Sequence, residues 1–286
     1  MAYPSVDSAY GFKAINELNG LPYAGAIRQI PINYNYGTSL FYGDLVEFSN
    51  GTVQKTELVE TTVSPATFPG QIGVFVGCTY TNPSTGQKLF AQYYPASTAA
   101  NDIVAYVIDD DRAVFKVVML AQTGSLSNTA TAVGYASQGF VGTNVLAITG
   151  TAGSTSTGNS KMGVSGTCPS NGSGNVRKTA SAPFRIVGIV PETGVTLTGS
   201  GTCSTTTITL AAAVTGLQAG MQFIVPDVAN ARPGDYNIVT NVNGTTVTIS
   251  KSVTIGSATT MTCVGFPEVL VKWNQGYHSY QYETGV

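Results

Sequence analysis

The feature that most constrains this chain is the shortage of helical periodicity: apolar residues alternate or come in short blocks, each closed by Gly, Pro, Asn or Ser. Alternation puts every second side chain on one face of a strand, whereas a helix needs apolar positions at every third or fourth residue over ten or so. Segments 38–48, 71–81, 87–95, 102–110, 113–120 and 183–191 therefore read as strands. Asn50-Gly51 and Asn243-Gly244 read as hairpin turns, because both residue types accept positive φ. Segment 125–135, where Ala and Leu recur after a capping residue, is the one place expected to hold a short helix. The fold expected is all-β: a β-barrel or sandwich main domain with an inserted small β-module.

A shift in composition sets the proposed boundaries. Residues 1–191 form the main β domain, with an N-terminal arm (1–37) in which Pro4, Pro22 and Pro31 limit helix, and a Gly, Ser and Thr-rich long loop (122–182). Residues 192–265 turn to Thr and Val-rich strands and read as an inserted β-module. Its apolar side is expected to hold Ile208, Leu210, Leu217, Met221, Phe223, Ile238, Val247 and Ile249, with threonines facing water. Residues 266–286 return to the earlier style, Val269, Val271 and Trp273 alternating with Glu268, Leu270 and Lys272, and read as a C-terminal strand completing the main domain.

Charged residues are 10% of the chain, against about 25% in a typical globular protein. Ser, Thr, Asn, Gln and Gly must then make much of the surface, which suits a protein packed against neighbours. The net charge of -2 offers no positive field for a polyanion, so no nucleic acid is expected. The opening residues lack a basic segment followed by an apolar run, and no stretch of about 18 apolar residues occurs, so neither a secretory signal nor a membrane partner is expected. Cys78, Cys168, Cys203 and Cys263 contain no C-x-x-C pair and read as structural thiols. A Cys203–Cys263 disulfide is conceivable. Strand parity opposes it, placing Cys203 with Thr205, Thr207 and Thr209 and Cys263 with Met261, and so does a cytoplasmic origin.

Chemistry-bearing motifs are scarce. The single histidine, His278, reads as a surface or interface residue, and no G-x-S-x-G, H-E-x-x-H or phosphate-loop motif occurs. Asp109-Asp110-Asp111 reads as a turn in preference to a calcium loop. Distant paired carboxylates for glycoside cleavage leave no local motif, and acids are few. The expectation is a non-enzyme without cofactor or metal. The 15 tyrosines and 11 phenylalanines beside one tryptophan carry more information, with Tyr gathered towards both ends. Tyr offers a large apolar face and a hydratable hydroxyl, which suits interfaces. Tyr3, Phe12, Arg28, Trp273, Tyr277 and Tyr280 are accordingly the candidate interface residues, for a capsid or a neighbouring subunit.

The opening YGFKAINELNGLPYAGAIRQIPI, the strand LFYGDLVEF, the hairpin GVFVGCTYTNPSTGQKLFAQYYPA and the ending EVLVKWNQGYHSY resemble the capsid decoration or cement proteins of tailed bacteriophages, notably the marine and cyanophage type. The resemblance implies a virion structural protein, made in the bacterial host cytoplasm, that binds the outer surface of the capsid and stabilises contacts between major capsid protein subunits. It also implies self-association, with a trimer favoured. The arm 1–37 and the loop 122–182 would then reach across neighbouring subunits. The alternative is a particle-surface or tail-fibre-like protein that binds host glycans; a hydrolase on a β scaffold is third.

Overall fold

The computed structural model describes residues 6–281 apart from 7, 19, 57–70, 122–131, 135, 137, 167–181, 191, 192, 194, 195, 218, 226, 233, 234 and 236. The chain is all-β, its described residues holding strands and short 3₁₀ turns but no α-helix, and its sheets include one closed and one nearly closed barrel. Within the described residues no helix is long and apolar enough to cross a membrane.

The first part supplies β1 (Lys13–Glu17), β2 (Arg28–Pro31), β3 (Leu45–Ser49), β4 (Thr52–Lys55), β5 (Gln71–Thr81), β6 (Lys88–Ala91), β7 (Val104–Ile108) and β8 (Ala113–Ala121). Strands β2 to β7 form one sheet in the order β2-β7-β5-β3-β4, with β6 beside β5. A parallel bridge between Ile32 and Val53 draws the two ends of that order together, so the sheet curls almost shut around Leu40, Ile72, Phe75 and Tyr94. Curling requires close backbone approach. At Gly73, φ is 152° and an added Cβ would sit 1.8 Å from the Ile108 carbonyl oxygen, a position that only glycine fills.

After β8 come β9 (Ala132–Val133), β10 (Asn144–Val145), β11 (Ala147–Ile148), β12 (Gly163–Ser165) and β13 (Phe184–Val190). With β20 (Glu268–Trp273) they build a second sheet, ordered β10-β13-β20-β8-β12-β11, in which β1 and β9 also pair with β8. Val269, Val271 and Trp273 point into its core beside Phe12, Phe115 and Phe184, following the alternation of the sequence. Two expectations fail here. Within the described residues the arm contributes β1 and β2, and the long loop β9 to β12, to the chain's own sheets; these strands are not excursions, because they pair their backbone hydrogen bonds at home. The helix expected at 125–135 meets strand β9 at Ala132–Val133, and its other residues save Gly134 lie outside the described ones.

Between β13 and β20 the chain forms β14 (Thr196–Cys203), β15 (Thr207–Leu210), β16 (Gln222–Ile224), β17 (Asn237–Asn243), β18 (Thr246–Ile249) and β19 (Ile255–Val264), which close a barrel in the order β14-β15-β18-β17-β16-β19. Seven of the eight residues expected on its apolar side lie in its core: Ile208, Leu210, Leu217, Met221, Phe223, Val247 and Ile249. Ile238 does not. It faces out and packs on the cluster of Val118, Leu120, Val133, Ile148 and Phe266, which joins the barrel to the second sheet.

Candidate functional site

The sequence-derived candidates converge, in part, at one corner. Pairing of β2 with β7 sets Arg28 opposite Val107, so its guanidinium reaches Asp109 just past the end of β7, at 3.4 Å. The 3₁₀ turn Ser279–Gln281 brings the Tyr280 hydroxyl to the same carboxylate, which accepts its proton at 2.7 Å, and Arg28 donates to that hydroxyl oxygen. Gln281 donates to Asp111 at 3.2 Å. The acidic run is a turn, with Asp110 accepting from the Arg112 N–H. His278 lies under the cluster, 0% exposed, its Nε2–H donating to the Ile72 carbonyl at 2.8 Å while Nδ1 accepts from the Tyr280 N–H. Both ring nitrogens are thus committed to the neutral form. Burial pulls the His278 pKa below its usual value, against the raising effects of the Ile72 bond and of Asp111, Asp109 and Asp110. His278 is therefore a buried pin within the chain, where a surface or interface residue is expected from the sequence.

Of the six interface candidates, Arg28 and Tyr280 meet on the surface, the latter 51% exposed. Tyr3 lies outside the described residues. Phe12, Trp273 and Tyr277 are corrections, each at most 3% exposed. Phe12 stacks on Phe184 at 4.9 Å between centroids, and Trp273 tilts against the same ring at 4.4 Å. Aromatics near the chain ends fill the core because the end strands β1 and β20 flank β8 inside the second sheet.

Two buried carboxylates lie elsewhere. Asp44 is 0% exposed; it accepts from the Phe41 N–H at 2.9 Å and from the Ser160 hydroxyl at 2.5 Å. Burial raises its pKa, opposed by Lys55, Ser160 and Phe41. Glu268, 2% exposed, takes the Tyr10 hydroxyl and pairs with Lys116 at 3.4 Å. Each is enclosed and bonded within the chain, and what each does is tie segments together. Among the described residues no group of three His, Cys, Asp or Glu side chains is placed to hold a metal ion.

Two further surface features are uncharged. Phe90, 78% exposed, stands on β6 in a row with Thr79, Val104 and Pro31 of the neighbouring strands. It is legible in the sequence, since Leu89 and Ala91 face the core and parity sends Lys88 and Phe90 outwards. On the barrel, Thr202, Ser204, Thr207, Thr209 and Thr254 line an open groove of about 350 Å³. The four charged residues of 196–264, Asp227, Arg232, Asp235 and Lys251, all lie in loops. Compared with family models, curated proteins and solved structures, the chain matches none.

Proposed function

We propose that this chain is a structural protein of a virus particle, a decoration protein that binds the outer surface of a phage capsid and stabilises contacts between major capsid protein subunits. The observation that carries the reading is the outer face of the nearly closed barrel, where Phe90 projects 78% exposed from a sheet row continued by Thr79, Val104 and Pro31. An exposed aromatic on a rigid sheet is an anchor that loses little entropy on docking. Buried area gained across adjoining shell subunits favours the assembled state by mass action. With β1, β2 and β9 to β12 paired into the chain's own sheets, this face is the shell contact we favour over the arm and the loop. The test is co-sedimentation of the purified protein with capsids that lack it. Saturable binding at a fixed ratio to the major capsid protein, lost on Phe90→Asp, is the expected result; wild-type protein left in the supernatant overturns the reading.

Recognition of host glycans is the second reading. It is favoured by the charge-free, hydroxyl-lined groove at Thr202, Ser204, Thr207, Thr209 and Thr254. Binding on a glycan array that Phe90→Asp leaves intact and Thr207→Val abolishes would select it.

A further inference from the structure

A second surface calls for a partner of a different kind. Residues 18–27, Leu-Asn-Gly-Leu-Pro-Tyr-Ala-Gly-Ala-Ile, carry no charge over ten positions. Leu18, Leu21 and Ile27 are 52%, 59% and 48% exposed, and Ile15 and Tyr280 are 40% and 51%. These are five of the seven large apolar side chains exposed among the described residues. Ile15, Leu18 and Leu21 are neighbours on one hairpin, and Ile27 and Tyr280 both adjoin Arg28. The Asn16–Pro22 bridge and the Glu17 N–H to Leu21 carbonyl bond fold 15–23 into a hairpin that presents Ile15, Leu18 and Leu21. Tyr23 donates its hydroxyl to the Ala26 carbonyl, folding the strap back, and Arg28 beside Ile27 lies over the Tyr280 ring. Exposed apolar side chains gathered in this way on a monomer often mark a functional surface. The N–H groups of Ala24, Gly25, Ala26 and Ile27 have no hydrogen-bond partner among the described residues.

The rim of this patch identifies the occupant. Lys13, Lys116, Arg28 and Arg112 stand with Glu17, Asp109, Asp110 and Asp111, so both signs of charge border an uncharged centre. A partner of one charge sign gains at half of such a rim and loses at the other half. A second copy related by a two-fold axis brings both signs to both sides and sets them opposite one another. We infer that the 15–27 strap with Tyr280 is the self-complementary surface through which two copies of this chain pair. The pairing does not depend on the capsid reading, because the strap lies at the β2 edge of that sheet and Phe90 on β6, with β5 and β7 between them.

Sedimentation velocity on the full chain over a broad concentration range tests it. The wild-type protein is expected to run as a dimer. Leu21→Asp and Ile27→Asp are expected to weaken the pairing on the order of thirtyfold or more, with Tm lowered only as far as loss of the pairing accounts for, whereas Phe90→Asp leaves it intact. Leu18→Ser serves as the milder variant should the charged ones fail to fold. A monomer at every concentration, a three-copy mass, or a dimer indifferent to all three strap variants overturns the inference. So does a loss of Tm without change of mass, which would mean that the strap is covered by its own chain.

Discussion

The Nε2 of His278 lies 2.8 Å from the carbonyl oxygen of Ile72, and this bond fastens the C-terminal turn to β5 of the nearly closed barrel. The donor is an imidazole held neutral by burial, so the fastening is sensitive to acid. In the unfolded chain the ring takes a proton as pH falls through its ordinary value of 6.5, while in the folded chain the lowered pKa delays uptake. The unfolded state then binds more protons, and stability falls with pH from about 6.5 down to the folded value. His278→Gln should remove this slope from urea midpoints measured between those limits. It should also cost about 1–3 kcal/mol at neutral pH, through weakened bonding at the Ile72 carbonyl and the Tyr280 N–H. A variant that keeps the slope would assign it to another group.

Asp44 titrates with the opposite sign. Its folded pKa is raised above the ordinary 3.8 by burial, so the stability it contributes is fully present below that value and is lost as pH rises through the folded pKa. Above that point the buried charge is supported by the positive charge of Lys55, the Ser160 hydroxyl and the Phe41 N–H. Asp44→Ala should therefore cost about 2–4 kcal/mol at pH 7, leaving buried polar groups unbonded, whereas Asp44→Asn, without the charge, should cost under about 1 kcal/mol. Chemical denaturation of the pair decides it, and equal losses would show that the charge itself is needed.

Gly73 and Gly86 both have positive φ, yet their substitutions should part company. A Cβ at Gly73 would meet the Ile108 carbonyl oxygen at 1.8 Å, so Gly73→Ala must push β5 away from β7, while nothing lies within 4 Å of one at Gly86. Gly86→Ala should cost about 1 kcal/mol of left-handed strain, and Gly73→Ala more than about 3 kcal/mol or the fold itself. Thermal melts of the two proteins make the comparison.

Much of this fold was legible because alternation reports the buried face directly, and the places where it misled have local causes. Counting through to Thr205 and Thr207 puts Cys203 on the threonine face. The bends at 204–206 reset the phase, and β14 pairs Cys203 with Ile208, so both enter the barrel core. Ile238 kept its parity beside core residue Val239 and faces out, where a second cluster receives it; one sequence cannot show that an outward face has a neighbour. His278 looked like a tail residue because its partner, Ile72, lies 206 positions away. The loop 122–182 reads as loose because its two- and three-residue strands carry too little pattern to stand out. The Arg28–Asp109–Tyr280 corner follows from strand register, which the sequence does not print.

The cysteines test the barrel's geometry. Cys203 and Cys263 share one core, but register pairs Cys203 with Ile255 and Cys263 with Leu197, six residues apart along β14. At about 3.3 Å per residue they lie roughly 20 Å apart, far beyond disulfide reach. Burial pushes the Cys78 and Cys263 thiols up to about 12. In a Cys168→Ser background without reductant, an aromatic disulfide reagent should titrate no thiol in the native protein. In guanidinium it should titrate Cys78, Cys203 and Cys263; one thiol under those conditions would mean a 203–263 bridge.

Ile238 is where the barrel leans on the second sheet, against Val118, Leu120, Val133, Ile148 and Phe266. The barrel's own core, built around Phe223, Val239 and Met261, does not include it. A charge at this position must leave the apolar seam for water, and separation of the two bodies lets it do so without opening either core. Ile238→Asp should therefore divide one calorimetric transition into two, the barrel melting apart from the rest, while Phe223→Ala should lower the barrel transition by about 3–5 kcal/mol. A single, uniformly lowered transition in Ile238→Asp would mean that the seam belongs to one cooperative core, and that the barrel owes its closure to the sheet beneath it.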